Sequence, residues 1–113
     1  MEEVDFSITP EEFVKEFKDL KTYLIDGYFS ETSEMSRLDK LVNAGLNTKQ
    51  IELVKCIFDE GLTDALYTTL LSLDGCASIY QHQITYKVQD EEGNELTGGL
   101  DSLAYEAFHE SKT

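Results

Sequence analysis

One apolar stripe runs through residues 47–73 at helical spacing, and it limits the possible folds more than any other feature of the chain. Asn47 and Gln50 have the types and spacing of a helix cap and its reciprocal partner. The stripe consists of Ile51, Val54, Phe58, Leu62, Ala65, Leu66 and Leu73. Because the period passes Gly61 without a phase change, it predicts one helix, and two helices that meet at Gly61 are the alternative. The second half is apolar on nearly all sides, which predicts that it lies at the centre of the fold.

Three further helices are predicted. The first begins at a capping box formed by Thr9 and Glu12. Its apolar positions are Phe13, Phe17, Leu20, Leu24 and Tyr28. The second covers about residues 33–44 and stops before Gly45. The last follows two consecutive glycines, and its apolar positions are Leu100, Leu103, Ala104, Ala107 and Phe108.

The spacing of apolar residues changes from a helical period to a strict alternation after the third helix. Apolar and polar residues alternate over residues 84–88, a turn is indicated at 91–94, and a short return strand at 95–97. The inward-facing residues of the first strand would be Ile84, Tyr86 and Val88. We therefore predict an α+β fold that is predominantly helical. It has about four helices, with one β-hairpin between helices three and four, in a single domain over residues 1–113.

The chain is strongly acidic. Its 113 residues contain 23 Asp and Glu against 9 Lys and Arg, a formal net charge of −14 at pH 7. Such a surface repels nucleic acid and anionic lipid and favours cationic partners. Hydrophobic residues make up 41% and aromatic residues 11% of the chain, so the acidity does not indicate disorder. We predict a partner that is a basic protein, with no direct nucleic-acid binding.

The sequence predicts a cytoplasmic protein that does not associate with membranes. It contains no apolar run near the ~20 residues that a membrane span needs. The first residues, Met1-Glu2-Glu3, are acidic, whereas a secretory signal begins with basic residues. Two cysteines, Cys56 and Cys76, are too few for a disulfide scaffold.

Candidates for catalysis and metal binding are few. The chain has two histidines, His82 and His109, and Glu106 lies three residues before His109 on the predicted last helix. This Glu-x-x-His spacing occurs in carboxylate metal sites of helical bundles, but such sites need a second copy and further glutamates. Glu106 and His109 are thus weak metal candidates, and a solvated surface is the simpler interpretation. The sequence predicts no catalytic residue and no cofactor.

One flank of the first helix combines acidic residues with a central tyrosine. At about 100° per residue its members fall within an arc of roughly 80°, and this arc is separate from the apolar stripe of the helix. They are Glu12, Glu16, Asp19, Tyr23 and Asp26. Aromatic residues anchor interfaces and charge steers encounter, so this flank is the predicted partner-binding surface. An ordinary solvated helix face is the alternative.

The favoured function is a non-enzymatic binding protein that engages a basic protein. In size and charge the chain is similar to small acidic helical immunity proteins of bacteria, which plug cationic nuclease toxins, and to proteins that imitate DNA. This likeness of composition implies an inhibitor-like or DNA-mimic-like role. Two alternatives remain: a metal- or ligand-binding protein or enzyme that uses His82, His109 and carboxylates, or a homo-oligomeric structural module. Monomer and homodimer are both compatible with the sequence, the latter through Tyr28, Phe29 or Tyr80.

Overall fold

A computed structural model describes residues 5–110, and the regular secondary structure of this part of the chain is helical. The α-helices are α1 (Pro10–Tyr28), α2 (Leu38–Asn43), α3 (Thr48–Leu73) and α4 (Leu100–Tyr105), and a π-helical segment (Glu106–Glu110) follows α4 directly. The chain divides into two compact units. We call residues 19–64 the central unit, and residues 5–18 with 65–110 the terminal unit. None of the helices in this range has both the length and the apolar character of a membrane span.

The predicted β-hairpin is wrong, and with it the α+β class. No strand or sheet forms within residues 5–110, and a lone antiparallel bridge joins Gln89 to Glu95. The turn between them does form, but two backbone donors of the first predicted strand are engaged elsewhere. The Tyr86 amide donates to the Leu73 carbonyl oxygen at 3.0 Å. The Val88 amide lies 3.4 Å from the Thr97 side-chain hydroxyl. Because these donors are used outside a ladder, the pairing does not extend beyond the bridge.

Both predicted capping boxes are confirmed. The Thr9 amide donates to Glu12 Oε1 at 2.9 Å, and the Glu12 amide donates to Thr9 Oγ1 at 3.1 Å. The same reciprocal pair joins Asn47 to Gln50, at 2.8 and 2.9 Å. The helix that begins there, α3, is continuous through Gly61, as the unbroken period predicted.

The second helix is shorter than predicted. It begins at Leu38 rather than near residue 33, because serine side chains bind the nearby backbone in place of helical hydrogen bonds. Ser33 Oγ accepts from the Met35 amide at 3.2 Å, and Ser36 Oγ accepts from the Leu38 amide at 3.1 Å. The predicted stop at Gly45 is confirmed by its positive φ of 90°.

In the terminal unit, the second half of α3 lies in the core, as predicted. The buried members of this core are Val14, Leu70, Leu100, Ala104 and Phe108. Lys18 closes one side, because its ammonium donates to the Ala107 carbonyl oxygen at 3.0 Å and lies 5.4 Å from the Phe108 ring centre. Lys18 thereby links α1 to the π-helical segment, because Ala107 belongs to the wider turn of that segment.

The central unit is organised around an aromatic cluster and a buried lysine. The Tyr28 and Phe58 rings stack with their centres 4.8 Å apart. The Lys21 ammonium donates to Asp59 Oδ1 at 3.0 Å and to Thr63 Oγ1 at 2.9 Å. These bonds satisfy a buried charge that would otherwise be strongly destabilising.

Asp90 organises the turn that joins the two residues of the β-bridge. Its carboxylate accepts hydrogen bonds from the amides of Ile8, Glu92 and Asn94 and from the Asn94 side chain, at 2.9–3.1 Å. Reduced hydration raises the pKa of Asp90, but the hydrogen bonds, led by those from Asn94, outweigh this effect. The net result is a pKa below the usual 3.8.

We expect the stabilising effect of Asp90 to depend on pH. A carboxylate whose pKa is lowered by folding contributes stability above its unfolded pKa, and that contribution disappears as the pH falls through the folded value. The melting temperature of Asp90→Asn should therefore lie below that of the wild type at pH 7, and the gap should narrow below about pH 4. Thermal unfolding followed by circular dichroism tests this. Glu91→Gln, which alters an exposed side chain of the same turn, should show a small gap at every pH. A constant gap for Asp90→Asn would contradict the assignment.

Candidate functional site

The terminal unit contains a groove of about 690 Å³. The end of α3 and the residues just after it form one wall, and α4 with the π-helical segment forms the other. Its lining residues are Tyr67, Leu71, Cys76, Asp101, Ser102, Leu103, Tyr105, Glu106 and Glu110. This volume lies in the range of sites that hold a small molecule or a large side chain.

The groove is lined by both carboxylate and aromatic side chains. The carboxylates belong to Asp101, Glu106 and Glu110, all exposed, and no Lys or Arg is found among the described lining residues. Two tyrosines, Tyr67 and Tyr105, line the same cavity. Carboxylates attract a cation, and tyrosine rings stabilise a guanidinium or ammonium placed over them. The chemistry of the lining therefore suits an organic cation.

The tyrosines are held in place by His109. The His109 ring meets Tyr67 edge-on, with ring centres 4.6 Å apart, and its centre lies 5.5 Å from that of Tyr105. Tyr67 also contacts the buried Phe108 ring at 6.4 Å. The aromatic part of the groove thus rests on the core of the terminal unit.

Cys76 lines the groove as a thiol. Reduced hydration, together with the negative charges of Asp101 and Asp74, raises the pKa of Cys76 above its usual 9.0. A thiol with a raised pKa stays protonated at neutral pH and is a poor nucleophile. The groove therefore favours binding over thiolate chemistry at Cys76.

The weak metal candidates are not assembled into a metal site. Glu106 lines the groove, while the His109 ring packs against Tyr67. His82 is exposed on the segment between α3 and α4. Among residues 5–110, no group of three or more His, Cys, Asp or Glu side chains is placed to hold a metal ion.

The predicted partner-binding flank lies on α1. All five of its side chains are exposed: Glu12, Glu16, Asp19, Tyr23 and Asp26. Glu12 also closes the capping box with Thr9, so it has a structural role. Glu12 and Glu16 belong to the terminal unit and the other three to the central unit. Binding by this flank stays a prediction.

The aromatic residues considered for self-association differ in exposure. Tyr28 and Phe29 are half-buried because both pack against Phe58, at 4.8 and 5.9 Å between ring centres. Tyr80, by contrast, is 86% exposed. Of the three, only Tyr80 presents most of its ring to a partner.

The sequence did not predict the groove. Its residues come from three separate segments, near Tyr67, near Cys76 and over residues 101–110. The one local signal is the spacing of Asp101 and Tyr105, which are four residues apart, so that an acidic and an aromatic side chain are neighbours on one face of α4. No protein-family model, curated protein or solved structure matches this chain.

Proposed function

We propose that this protein is a non-enzymatic binding protein that engages a basic protein partner. The observation that carries the proposal is the groove of the terminal unit, in which Asp101, Glu106 and Glu110 flank two tyrosine rings. An arginine or lysine side chain of the partner fits this chemistry, since it gains ion pairs with the carboxylates and ring contacts with the tyrosines.

The charge balance supports the same conclusion. With a net charge of −14, the chain retains an excess of carboxylates even if every one of its bases is paired. Long-range attraction would then steer a basic protein towards the chain and raise the association rate at low salt. The exposed part of the α1 flank that lies in the central unit, around Tyr23, is a second candidate surface for such a partner.

A titration with a short arginine-rich peptide tests the groove. We expect the double variant Glu106→Gln/Glu110→Gln to lower affinity about tenfold, since two exposed ion pairs of about 0.7 kcal/mol each sum to the ~1.4 kcal/mol of a tenfold change. Tyr105→Leu keeps the bulk but removes the ring face, and should weaken binding of the same peptide. Isothermal titration calorimetry at low and physiological salt gives the affinities.

The matched control has the same change of net charge outside the groove. Glu31→Gln/Glu34→Gln neutralises two exposed carboxylates of the central unit. We expect this control to change affinity less than twofold at physiological salt, where distant charges are screened. Equal losses in both double variants would show diffuse attraction instead of a groove. No binding of arginine-rich peptides or basic proteins at low salt would disprove the proposed function.

A further inference from the structure

The outward surface of α3 in the central unit carries an apolar ridge. Leu53 and Ile57 are 60% and 59% exposed, although they are large aliphatic side chains on consecutive turns. Gly61 occupies the next turn of the same surface. We call Leu53, Ile57 and Gly61 the α3 ridge. Contiguous exposed apolar residues of this kind commonly mark an interaction surface.

Gly61 is the unusual member of the ridge. A glycine within a helix is about 1 kcal/mol less favourable than alanine, so a packing reason is expected at such a position. Within residues 5–110 there is none, because a Cβ built on Gly61 meets no atom of this range within 4 Å. The helix has an open notch beside its two most exposed aliphatic side chains.

The ridge is complementary to itself. If two copies cross in antiparallel orientation with a two-fold axis at Ile57, residues four before and four after it exchange places. Leu53 of each copy then faces Gly61 of the other copy, so each of the two notches receives a leucine side chain. The same axis places Ile57 of one copy against Ile57 of the other, so the contact is apolar at its centre. A contact of this kind is isologous and closes at two copies.

The charged residues at the two ends of the α3 ridge favour an antiparallel arrangement of the two copies. Lys49 and Gln50 lie at one end of the ridge and Asp64 at the other, and all three are exposed. Antiparallel crossing places Lys49 and Gln50 near Asp64 of the second copy. Parallel crossing would bring Lys49 to Lys49 and Asp64 to Asp64, which is repulsive. A depression of about 530 Å³ beside Leu53, lined also by Asn47, Lys49 and Gln50, extends the contact surface.

From these observations we propose that the α3 ridge is a homodimer interface, on which a second copy of this chain packs antiparallel about Ile57. The interface lies in the central unit and uses no residue of the groove. It is therefore independent of the proposed binding function, and either can fail without the other.

Analytical ultracentrifugation over micromolar to millimolar concentrations tests the proposal. We expect a concentration-dependent dimer for the wild type. Gly61→Gln, which fills the notch, and Ile57→Glu, which places a like charge on the axis, should each raise the dissociation constant at least tenfold. Gln is a better helix former than Gly, so the fold is not weakened by the first variant. Tyr80→Gln, at an exposed aromatic residue of the terminal unit, should leave the dimer unchanged.

Cysteine cross-linking locates the contact directly. Cys56 is exposed and adjacent to Ile57, whereas Cys76 lies in the terminal unit. With Cys76→Ser, a bismaleimide that spans roughly the 8–10 Å between packed helices should link two chains through Cys56. With Cys56→Ser, the same reagent should link few chains. A monomer at every concentration would overturn the proposal, and so would a dimer that Gly61→Gln and Ile57→Glu leave intact.

Discussion

Replacement of Leu70 by alanine is expected to lower the free energy of unfolding by about 2–5 kcal/mol. Leu70 is completely buried in the core of the terminal unit, beside Leu100 and Phe108. The change removes several buried carbon atoms and leaves a cavity that the neighbouring helices fill only in part. The size of the loss therefore reports how tightly α3 and α4 are packed there.

Urea denaturation at pH 7, followed by circular dichroism, measures this loss. The control is Leu20→Ala, because Leu20 is the same residue type on a helix but is 45% exposed. We expect it to change the free energy of unfolding by less than about 1 kcal/mol. If the two variants were equally stable, Leu70 would not belong to the core.

Replacement of Asp74 by alanine should lower the free energy of unfolding by about 2–4 kcal/mol. The half-buried Asp74 lies directly after α3, and its two carboxylate oxygens accept from the amides of Gly98 and Leu100, at 2.6 and 2.5 Å. Hydrogen bonds to a charged group contribute roughly 1.5–3 kcal/mol each, and both are lost in alanine, but water that reaches this half-buried position recovers part of their sum. The first amide of α4 would then have no acceptor.

Two further variants separate this role from a general effect of charge. Asp74→Asn keeps one side-chain oxygen as acceptor, so its loss should be intermediate. Asp26→Ala removes an exposed carboxylate of α1 and should change stability by no more than about 0.5 kcal/mol. The same urea titration compares all three proteins. If Asp74→Ala were as stable as Asp26→Ala, the start of α4 would not depend on this carboxylate.

The helices of this protein are largely predictable because their determinants are local. The capping boxes at Thr9 and Asn47 need partners only three residues away, and both form. The continuity of α3 through Gly61 follows from an unbroken apolar period. The hairpin was not predictable in the same way. Its alternating pattern is local, but the hydrogen-bond acceptor for Tyr86 is the distant Leu73.

The groove and the π-helical segment show the limit of local patterns more clearly. The last helix was predicted from its apolar spacing, yet nothing in that spacing distinguishes the π-helical turn over residues 106–110 from an α-helical one. The groove forms where Tyr67 and Cys76, which are far from that turn in the sequence, lie beside it in the folded chain. The Glu-x-x-His spacing predicted Glu106 as a weak metal ligand, whereas in the structure Glu106 lines a groove together with Tyr67 and Tyr105.

The first part of the segment between α3 and α4 is a loop that two hydrogen bonds close against the end of α3, which makes it a natural place for grafting. The Gly75 carbonyl oxygen accepts from the Gln83 side chain at 2.9 Å, and the Leu73 carbonyl oxygen accepts from the Tyr86 amide. Between these contacts Tyr80 is almost fully exposed. Since doubling the length of a loop costs only about 0.6 kcal/mol, an epitope tag or reporter peptide inserted after Tyr80 should be carried without loss of the helical frame.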